Sequence, residues 1–279
     1  MTRRITITTI VENKAGPRGT LGEHGLSLWI ETESMRILFD TGQGMALEHN
    51  AERLGVDLLK ADAVVLSHGH YDHTGGLKAF LQKAPGAKVY GHPDLFKPKY
   101  ARNDDGTGRK AGVPFNVEDL LRQKAGNMVL NAGITEIGDG LFSTGEIPRT
   151  TPFEDTGGPF FLDGNCTLPD TLMDDQALFF DSPKGTVVLL GCAHAGVINT
   201  LRHVEELTGR KPVYCVAGGM HLGSASHERM EQTLDGFHRL MPALLAPAHC
   251  TGTAATVQLW TAFPGKCISF GVGTRLEIA

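Results

Sequence analysis

The stretch Leu66-Ser67-His68-Gly69-His70-Tyr71-Asp72-His73-Thr74-Gly75-Gly76-Leu77 holds three of the twelve histidines of the chain, with an aspartate between the second and the third. It follows residues 61–66, a short apolar segment that is typical of a buried strand. It precedes Leu77, Phe80 and Leu81, which share one face of a predicted helix. The cluster is therefore predicted to lie on a strand-to-helix turn, where side chains can converge on one point.

Four side chains of this turn are of metal-ligand type, and its glycines let the backbone fold around a small object. Neutral imidazole together with carboxylate is the ligand combination that zinc and other first-row divalent ions prefer. A polar surface loop would account for one stray histidine, but not for four such side chains. The turn therefore predicts a metal site.

The order His-x-His-x-Asp-His resembles the signature of the metallo-β-lactamase superfamily. Residues 38–42, which read Leu-Phe-Asp-Thr-Gly, resemble the strand-end aspartate motif of the same family. The resemblance implies that His68 and His70 bind one ion, and that Asp72 and His73 bind a second. It implies that Asp40 fixes a ligand imidazole by a hydrogen bond. The implied cofactors are two divalent metal ions, zinc first, with manganese or iron as alternatives.

Composition and charge describe an ordinary globular protein. The 279 residues are 41% hydrophobic and 20% charged, with a formal net charge of −5, and no block of lysine and arginine exceeds a pair, which argues against a nucleic-acid partner. No apolar run has the length of a membrane span, and residues 1–11 alternate like a strand instead of forming a signal peptide. The five cysteines are odd in number and scattered, which predicts reduced thiols and a cytoplasmic location. No feature of the sequence sets the oligomeric state.

Strands dominate the first third of the chain, and helices and strands alternate afterwards. Strands are predicted near residues 1–11, 24–30, 35–39, 61–66 and 87–90, and helices over residues 43–54 and 116–123. Residues 97–112 lose periodicity and are rich in lysine and arginine, which would suit a phosphorylated or carboxylated substrate. Residues 145–170 are irregular and rich in glycine, proline and aspartate. These two segments are predicted to be either surface loops or lids over the active site.

Strands predicted in the second half of the chain end at further candidate ligands. Residues 186–190 lead to Cys192 and His194, and a glycine-flanked turn favours His194 as the ligand, while Cys192 is either a further ligand or a small buried residue. His221 follows two glycines at the end of residues 212–217, which favours an active-site proton donor over a turn histidine bonded to the backbone. His249 matches the last ligand of the family, which implies that it completes the shell of the second ion. Cys250, the next residue, is expected to be structural.

One family feature is missing. Many members carry a third histidine ligand of the first ion in a Gly-His-Thr-x-Gly turn near residue 145, and this chain has no histidine between His92 and His194. Either the first ion finds its third protein ligand elsewhere or the site differs from the usual one. Glu146 and Glu154 are candidate oxygen ligands, although a solvated or salt-bridged role is favoured for each. Arg149 in the same segment is predicted either to bind an anionic substrate bidentately or to pair with a nearby acid.

Motifs at residues 23–27, 145–149, 191–196, 218–222 and 247–252 resemble one branch of the superfamily, whose members are called metal-dependent hydrolases or 7,8-dihydropterin-6-methyl-4-(β-ribofuranosyl)aminobenzene-5′-phosphate synthases. The resemblance implies an α/β fold, a four-layer αββα sandwich. We expect a single domain over residues 1–279, built from two pseudo-equivalent ββα halves.

The implied activity is that of a dinuclear metal-dependent hydrolase, in which a metal-activated hydroxide attacks a small anionic substrate. Asp72 would orient the hydroxide, and His221 would protonate the leaving group. The alternative is a pterin-coupling transferase that displaces pyrophosphate. A di-iron redox protein is disfavoured, because that branch has glutamate at the position of His70 and a flavin domain for which the chain has no room. A non-catalytic binding protein is disfavoured by the nearly complete ligand set.

Overall fold

The computed structural model describes residues 4–115, 117 and 125–279. Its strands are β1 (Ile5–Val11), β2 (Ser27–Glu31), β3 (Arg36–Phe39), β4 (Ala63–Val65), β5 (Lys88–Gly91), β6 (Tyr100–Arg102), β7 (Gly108–Lys110), β8 (Met128–Leu130), β9 (Thr135–Gly138), β10 (Leu141–Ser143), β11 (Phe160–Phe161), β12 (Ala177–Ser182), β13 (Gly185–Leu190), β14 (Val213–Gly219), β15 (Leu244–Ala248) and β16 (Arg275–Ile278). Its helices are α1 (Leu47–Arg53), α2 (Tyr71–Thr74), α3 (Leu77–Lys83), α4 (Val197–Leu207), α5 (His227–Leu240) and α6 (Thr253–Ala262), with short 3₁₀ turns that include His249–Thr251. Apart from residue 117, the helix predicted over residues 116–123 lies outside the described residues, as do residues 1–3 of the first predicted strand.

Two large sheets pack face to face. Seven strands pair in the order β16-β1-β2-β3-β4-β5-β8, and six pair in the order β15-β14-β13-β12-β10-β9. Apolar side chains of both sheets meet in one buried cluster between them, among them Ile7, Leu28, Phe39, Leu178, Phe180 and Leu189. Because every second residue of a strand points to the same face, these strands bury one set of side chains between the sheets and the other set under the helices.

Helices cover the outer face of each sheet. Leu47 of α1 and Phe80 of α3 pack on Leu38 and Val64 of the seven-stranded sheet. Leu201 of α4 and Phe237 of α5 belong to the buried cluster on the outside of the six-stranded sheet, together with Leu259 of α6. These four layers confirm the predicted αββα sandwich. The last strand, β16, returns to pair with β1, so the seven-stranded sheet combines both ends of the chain.

The strands that precede the candidate ligands each pair in parallel with at least one neighbour. In the seven-stranded sheet β3 pairs with β4 in parallel, and in the six-stranded sheet β13, β14 and β15 are parallel to one another. Parallel strands present their carboxyl ends at one edge of a sheet, where ligand sites of open α/β sheets form. The turns that follow these strands therefore meet at a single place.

The two segments predicted as irregular contain strands. Antiparallel pairing joins β6 to β7 and β11 to β6, and this three-stranded unit is called the cover sheet below. The absence of periodicity was misleading here, because strands of two or three residues are too short to show a hydrophobic pattern. None of the described helices is long and apolar enough to cross a membrane.

Candidate metal centre

The first donor set consists of His68, His70 and His194, with Cys192 beside them. Nε2 of His68 lies 2.9 Å from Nδ1 of His70, which in turn lies 3.2 Å from Nε2 of His194. The donor atoms of His68, Cys192 and His194 lie within 4.8 Å of one another, and all three residues are buried. His194 thus brings a third histidine to His68 and His70, where the segment near residue 145 supplies none.

The second donor set consists of Asp72, His73 and His249, again with Cys192. Nε2 of His73 lies 3.3 Å from Nε2 of His249 and 3.1 Å from Sγ of Cys192. Oδ2 of Asp72 lies 3.3 Å from Nε2 of His249 and 3.8 Å from Nε2 of His73. Cys192 therefore stands between the two sets and is close to both.

The spacing of these atoms fits a small divalent ion. Ligand bonds of 2.0–2.1 Å in a tetrahedral shell place two nitrogen ligands about 3.3 Å apart, which matches the separations within both sets. Burial lowers the pKa of His68 and His194 well below the usual range, and it lowers the pKa of His70 to about 3. These imidazoles are therefore neutral near pH 7, which is the protonation state that binds metal.

His73 differs from the other imidazoles. Burial lowers its pKa, but the carboxylates of Asp40 and Asp72 outweigh that effect and raise the pKa of His73 to about 9. Burial also raises the pKa of the Cys192 thiol well above its usual range. A divalent ion between these groups would displace both protons, because its charge favours the deprotonated ligands.

In His73, His194 and His249, a hydrogen bond to Nδ1 orients the ring so that Nε2 points toward the centre. Nδ1 of His73 lies 2.6 Å from Oδ2 of Asp40, which also accepts from Oγ of Ser67. Nδ1 of His194 lies 2.7 Å from the carbonyl oxygen of Thr156, and Nδ1 of His249 lies 2.9 Å from Oδ1 of Asn13. Such partners fix the tautomer and the orientation of ligating imidazoles.

His221 lies beside this centre and not in either donor set. Its ring centroid is 4.3 Å from that of His194, and it lines the same cleft. Its Nδ1 is buried and has no hydrogen-bond partner among the described residues. The structure thus places His221 at the wall of the cleft, beside His194.

Three other predicted residues lie elsewhere. Arg149 donates to the carbonyl oxygens of His194 and Thr171 at 2.7 and 2.5 Å. Its guanidinium therefore binds the backbone of these two residues and does not line the cleft. Oε1 of Glu146 lies 3.2 Å from Nε2 of His92. Glu154 accepts from the backbone N–H groups of residues 198 and 199 at the start of α4. The two glutamates are therefore occupied outside the donor sets.

A cleft of about 330 Å³ opens over the centre. Sequence reasoning missed several of the residues that line it, namely His24, Tyr71, Phe160 and Ser224. Arg109 also lines the cleft and belongs to the basic segment 97–112 that was predicted to suit an anionic substrate, whereas Cys250 was expected to be structural. His24 had a signal, because it lies in the motif at residues 23–27, and its Nε2 is 3.2 Å from Oδ2 of Asp72. Phe160 had none, because only the pairing of the cover sheet brings it over the donor sets.

Comparison with known proteins agrees with this geometry. Residues 21–249 match the family model of the Metallo-beta-lactamase superfamily. The chain is 30% identical over 266 residues to the 7,8-dihydropterin-6-methyl-4-(beta-D-ribofuranosyl)-aminobenzene-5'-phosphate synthase of Methanocaldococcus jannaschii, covering 90% of this chain and 89% of that protein. It is 32% identical over 254 residues to MJ0448, an uncharacterised protein of the same organism, covering 91% and 93% of the two chains.

A solved structure is also similar over its full length. The crystal structure of Tm1679, a metal-dependent hydrolase of the β-lactamase superfamily, matches with a TM-score of 0.82 and 30% sequence identity, covering 99% of each chain. The family model and the solved structure both cover most of the sequence and point to the same superfamily as the His-x-His-x-Asp-His motif. The chain belongs to the metallo-β-lactamase superfamily.

Proposed function

We propose that the protein is a dinuclear metal-dependent hydrolase that acts on a small phosphorylated or carboxylated molecule. The observation that carries this proposal is the arrangement of two donor sets on either side of Cys192, at the floor of an open cleft. Zinc is the first candidate for both ions, because imidazole, thiolate and carboxylate are its usual ligands, and manganese or iron is the alternative. The five cysteines are unpaired, which supports the proposed cytoplasmic location.

When bound, the two ions would supply Lewis acidity and would acidify a water molecule near neutral pH. Side chains of the protein would hold the ions, orient the attacking water and supply a proton. Asp72 would hold one ion and orient the attacking water, and Asp40 would keep the His73 ring in place. His221, at the cleft wall beside His194, would give a proton to the leaving group.

Arg109 is the residue that best suits recognition of the anion. It is exposed on β7 and lines the cleft, and it makes no ion pair with any residue of the described part of the chain. A guanidinium presents a planar fork of donors that matches carboxylate and phosphate oxygens. We therefore assign binding of the anionic substrate to Arg109, a member of the basic segment 97–112, and not to Arg149.

A second candidate is a synthase that couples a pterin and displaces pyrophosphate. It is favoured by the name of the relative from M. jannaschii and by one feature of the cleft. The ring of Phe160 lies 4.7 Å from that of His70 between centroids, which gives the cleft an aromatic surface against which a flat ring system could pack.

The metal content of the protein, purified without added metal, tests the shared part of both proposals. We expect about two ions for each chain, and about half of that in His68→Ala, because the variant lacks a ligand of one set only. His227→Ala is the matched control, since His227 is exposed at the start of α5. A wild-type protein without bound metal would refute the proposal.

Substrate assays then separate the two candidates. Phosphate release from simple phosphate esters, with an increase in KM and little change in kcat for Arg109→Met, would support the hydrolase. Lys110→Met is the control, because Lys110 is exposed on the same strand and does not line the cleft. Release of pyrophosphate from a pterin diphosphate only when an aromatic amine acceptor is present would support the synthase.

A further inference from the structure

A third group of metal-ligand side chains lies around Cys192. The donor atoms of Cys192, His221 and Cys250 lie within 4.8 Å of one another. These residues follow β13, β14 and β15, three adjacent parallel strands whose carboxyl ends meet at one edge of the sheet. All three residues line the cleft, so the group faces incoming solutes.

One nitrogen of this group lacks a partner, and the thiol of Cys250 makes only a long hydrogen bond to the backbone. Nδ1 of His221 is buried and lacks a hydrogen-bond partner among the described residues. The thiol of Cys250 donates to the carbonyl oxygen of Cys192 over 3.7 Å, which is a weak bond for a weak donor. A buried nitrogen without a partner carries a free-energy cost that a bound cation would remove.

Glycines make room for both side chains. A Cβ atom at residue 157 would collide with the ring of His221, and a Cβ atom at residue 219 would lie 2.6 Å from Sγ of Cys250. Only glycine at these two positions leaves room for the side chains of His221 and Cys250.

We propose that Cys192, His221 and Cys250 form a third site, which binds a thiophilic cation such as Cd²⁺ or Zn²⁺. Two thiolates and an imidazole are a soft ligand set that selects such ions over magnesium, calcium or manganese. Three protein ligands leave a fourth position open toward the cleft, as in zinc sites that accept an exchangeable ligand. Binding releases the thiol protons to solvent.

The site shares Cys192 with the two histidine sets. A thiophilic ion bound at this site would therefore compete with the ions of the histidine sets for the sulfur of Cys192. On the basis of the proposed function, an excess of such an ion would inhibit the enzyme. The binding itself does not depend on that function, because Cys250 and His221 belong to neither histidine set. The two ideas can therefore fail separately.

Cadmium titration of the metal-free protein tests the site, with the ultraviolet charge-transfer absorbance of cadmium–thiolate bonds as the readout. Because the amplitude reports the number of such bonds, we expect it to fall by about half in Cys250→Ser, which leaves one thiolate near the ion. Cys267→Ser is the matched control, since Cys267 is also a free cysteine but belongs to none of the donor sets. Its amplitude should equal that of the wild type.

The same titration in the double variant His68→Ala/His73→Ala separates this site from the histidine sets. We expect the Cys250-dependent half of the signal to persist there, with far-ultraviolet circular dichroism confirming the fold. Equal amplitudes in wild type and Cys250→Ser would overturn the proposal. Loss of the Cys250-dependent signal in the folded double variant would also overturn it, since Cys250 would then bind only as part of the histidine sets.

Discussion

Lys99 joins the cover sheet to the ligand turn through a buried ion cluster. Its Nζ lies 2.7 Å from Oδ1 of Asp174 and 3.0 Å from Oδ2 of Asp170. The other oxygen of Asp174 accepts from the backbone N–H of Gly69 at 2.7 Å, between His68 and His70. The side chain of Lys99 is 1% exposed, and those of Asp174 and Asp170 are 0% and 7% exposed. Replacement of Lys99 therefore tests how much this link stabilises the fold.

Lys99→Met removes the cation and leaves two carboxylates buried. Burial lowers the pKa of Lys99, but Asp174 and Asp170 outweigh it and the net pKa is raised, so the ammonium is charged at neutral pH. Breaking a buried ion pair by removing one partner costs about 3–5 kcal/mol. We expect the free energy of unfolding at pH 8 to fall by that amount.

The loss of unfolding free energy in Lys99→Met should be smaller at acidic pH. Burial raises the pKa of Asp174 even beside Lys99, and without the lysine it will rise further. A group with a raised pKa in the folded state binds its proton more tightly there, so protonation favours folding as the pH falls. The deficit of Lys99→Met relative to the wild type should therefore shrink between pH 8 and pH 5.

Urea unfolding at the two pH values measures both effects. Lys97→Met is the matched control, because Lys97 is 53% exposed and pairs with Asp94 on the surface, an interaction worth less than about 1 kcal/mol. A loss in Lys99→Met no larger than in the control would refute the assignment of a stabilising buried cluster. An equal deficit at both pH values would refute the role of the carboxylates.

Three further predictions concern single side chains. Asp40→Ala should weaken metal binding by about 10–100-fold, because His73 loses its orienting partner. Competition with a chromophoric chelator measures the metal affinity, and an unchanged affinity would contradict the prediction. Burial raises the pKa of Asp175 from 3.8 to about 6. The free energy of unfolding of the wild type should therefore fall relative to that of Asp175→Asn as the pH rises through that range. Urea unfolding at several pH values measures this difference, and parallel pH profiles of the two proteins would contradict the prediction. Ser226 caps α5 by accepting from the N–H of Arg229, so Ser226→Ala should lower the free energy of unfolding by about 1 kcal/mol, and no change in urea unfolding would show that the cap is dispensable.

Local patterns in the sequence predicted several secondary-structure elements and the placement of candidate ligands at strand ends. The apolar strand before the ligand turn and the helical face after it predicted β4 (Ala63–Val65) and α3 (Leu77–Lys83). Strand endings also located Cys192, His194, His221 and His249 at the edge of a sheet, because each lies a few residues beyond a short apolar run. Alternation and helical periodicity are properties of neighbouring residues, so they can be read without knowing what packs against them.

The tertiary structure decided the meetings that neither local pattern nor family resemblance predicted. His194 completes the first donor set although 124 positions separate it from His70, and Cys192 stands between the sets because β13 (Gly185–Leu190) ends opposite the ligand turn. The same pairing of distant strands brought Arg109 and Phe160 over the cleft and turned Arg149 to the backbone of His194. Such contacts depend on strand order and on the packing of two sheets, which no local period encodes.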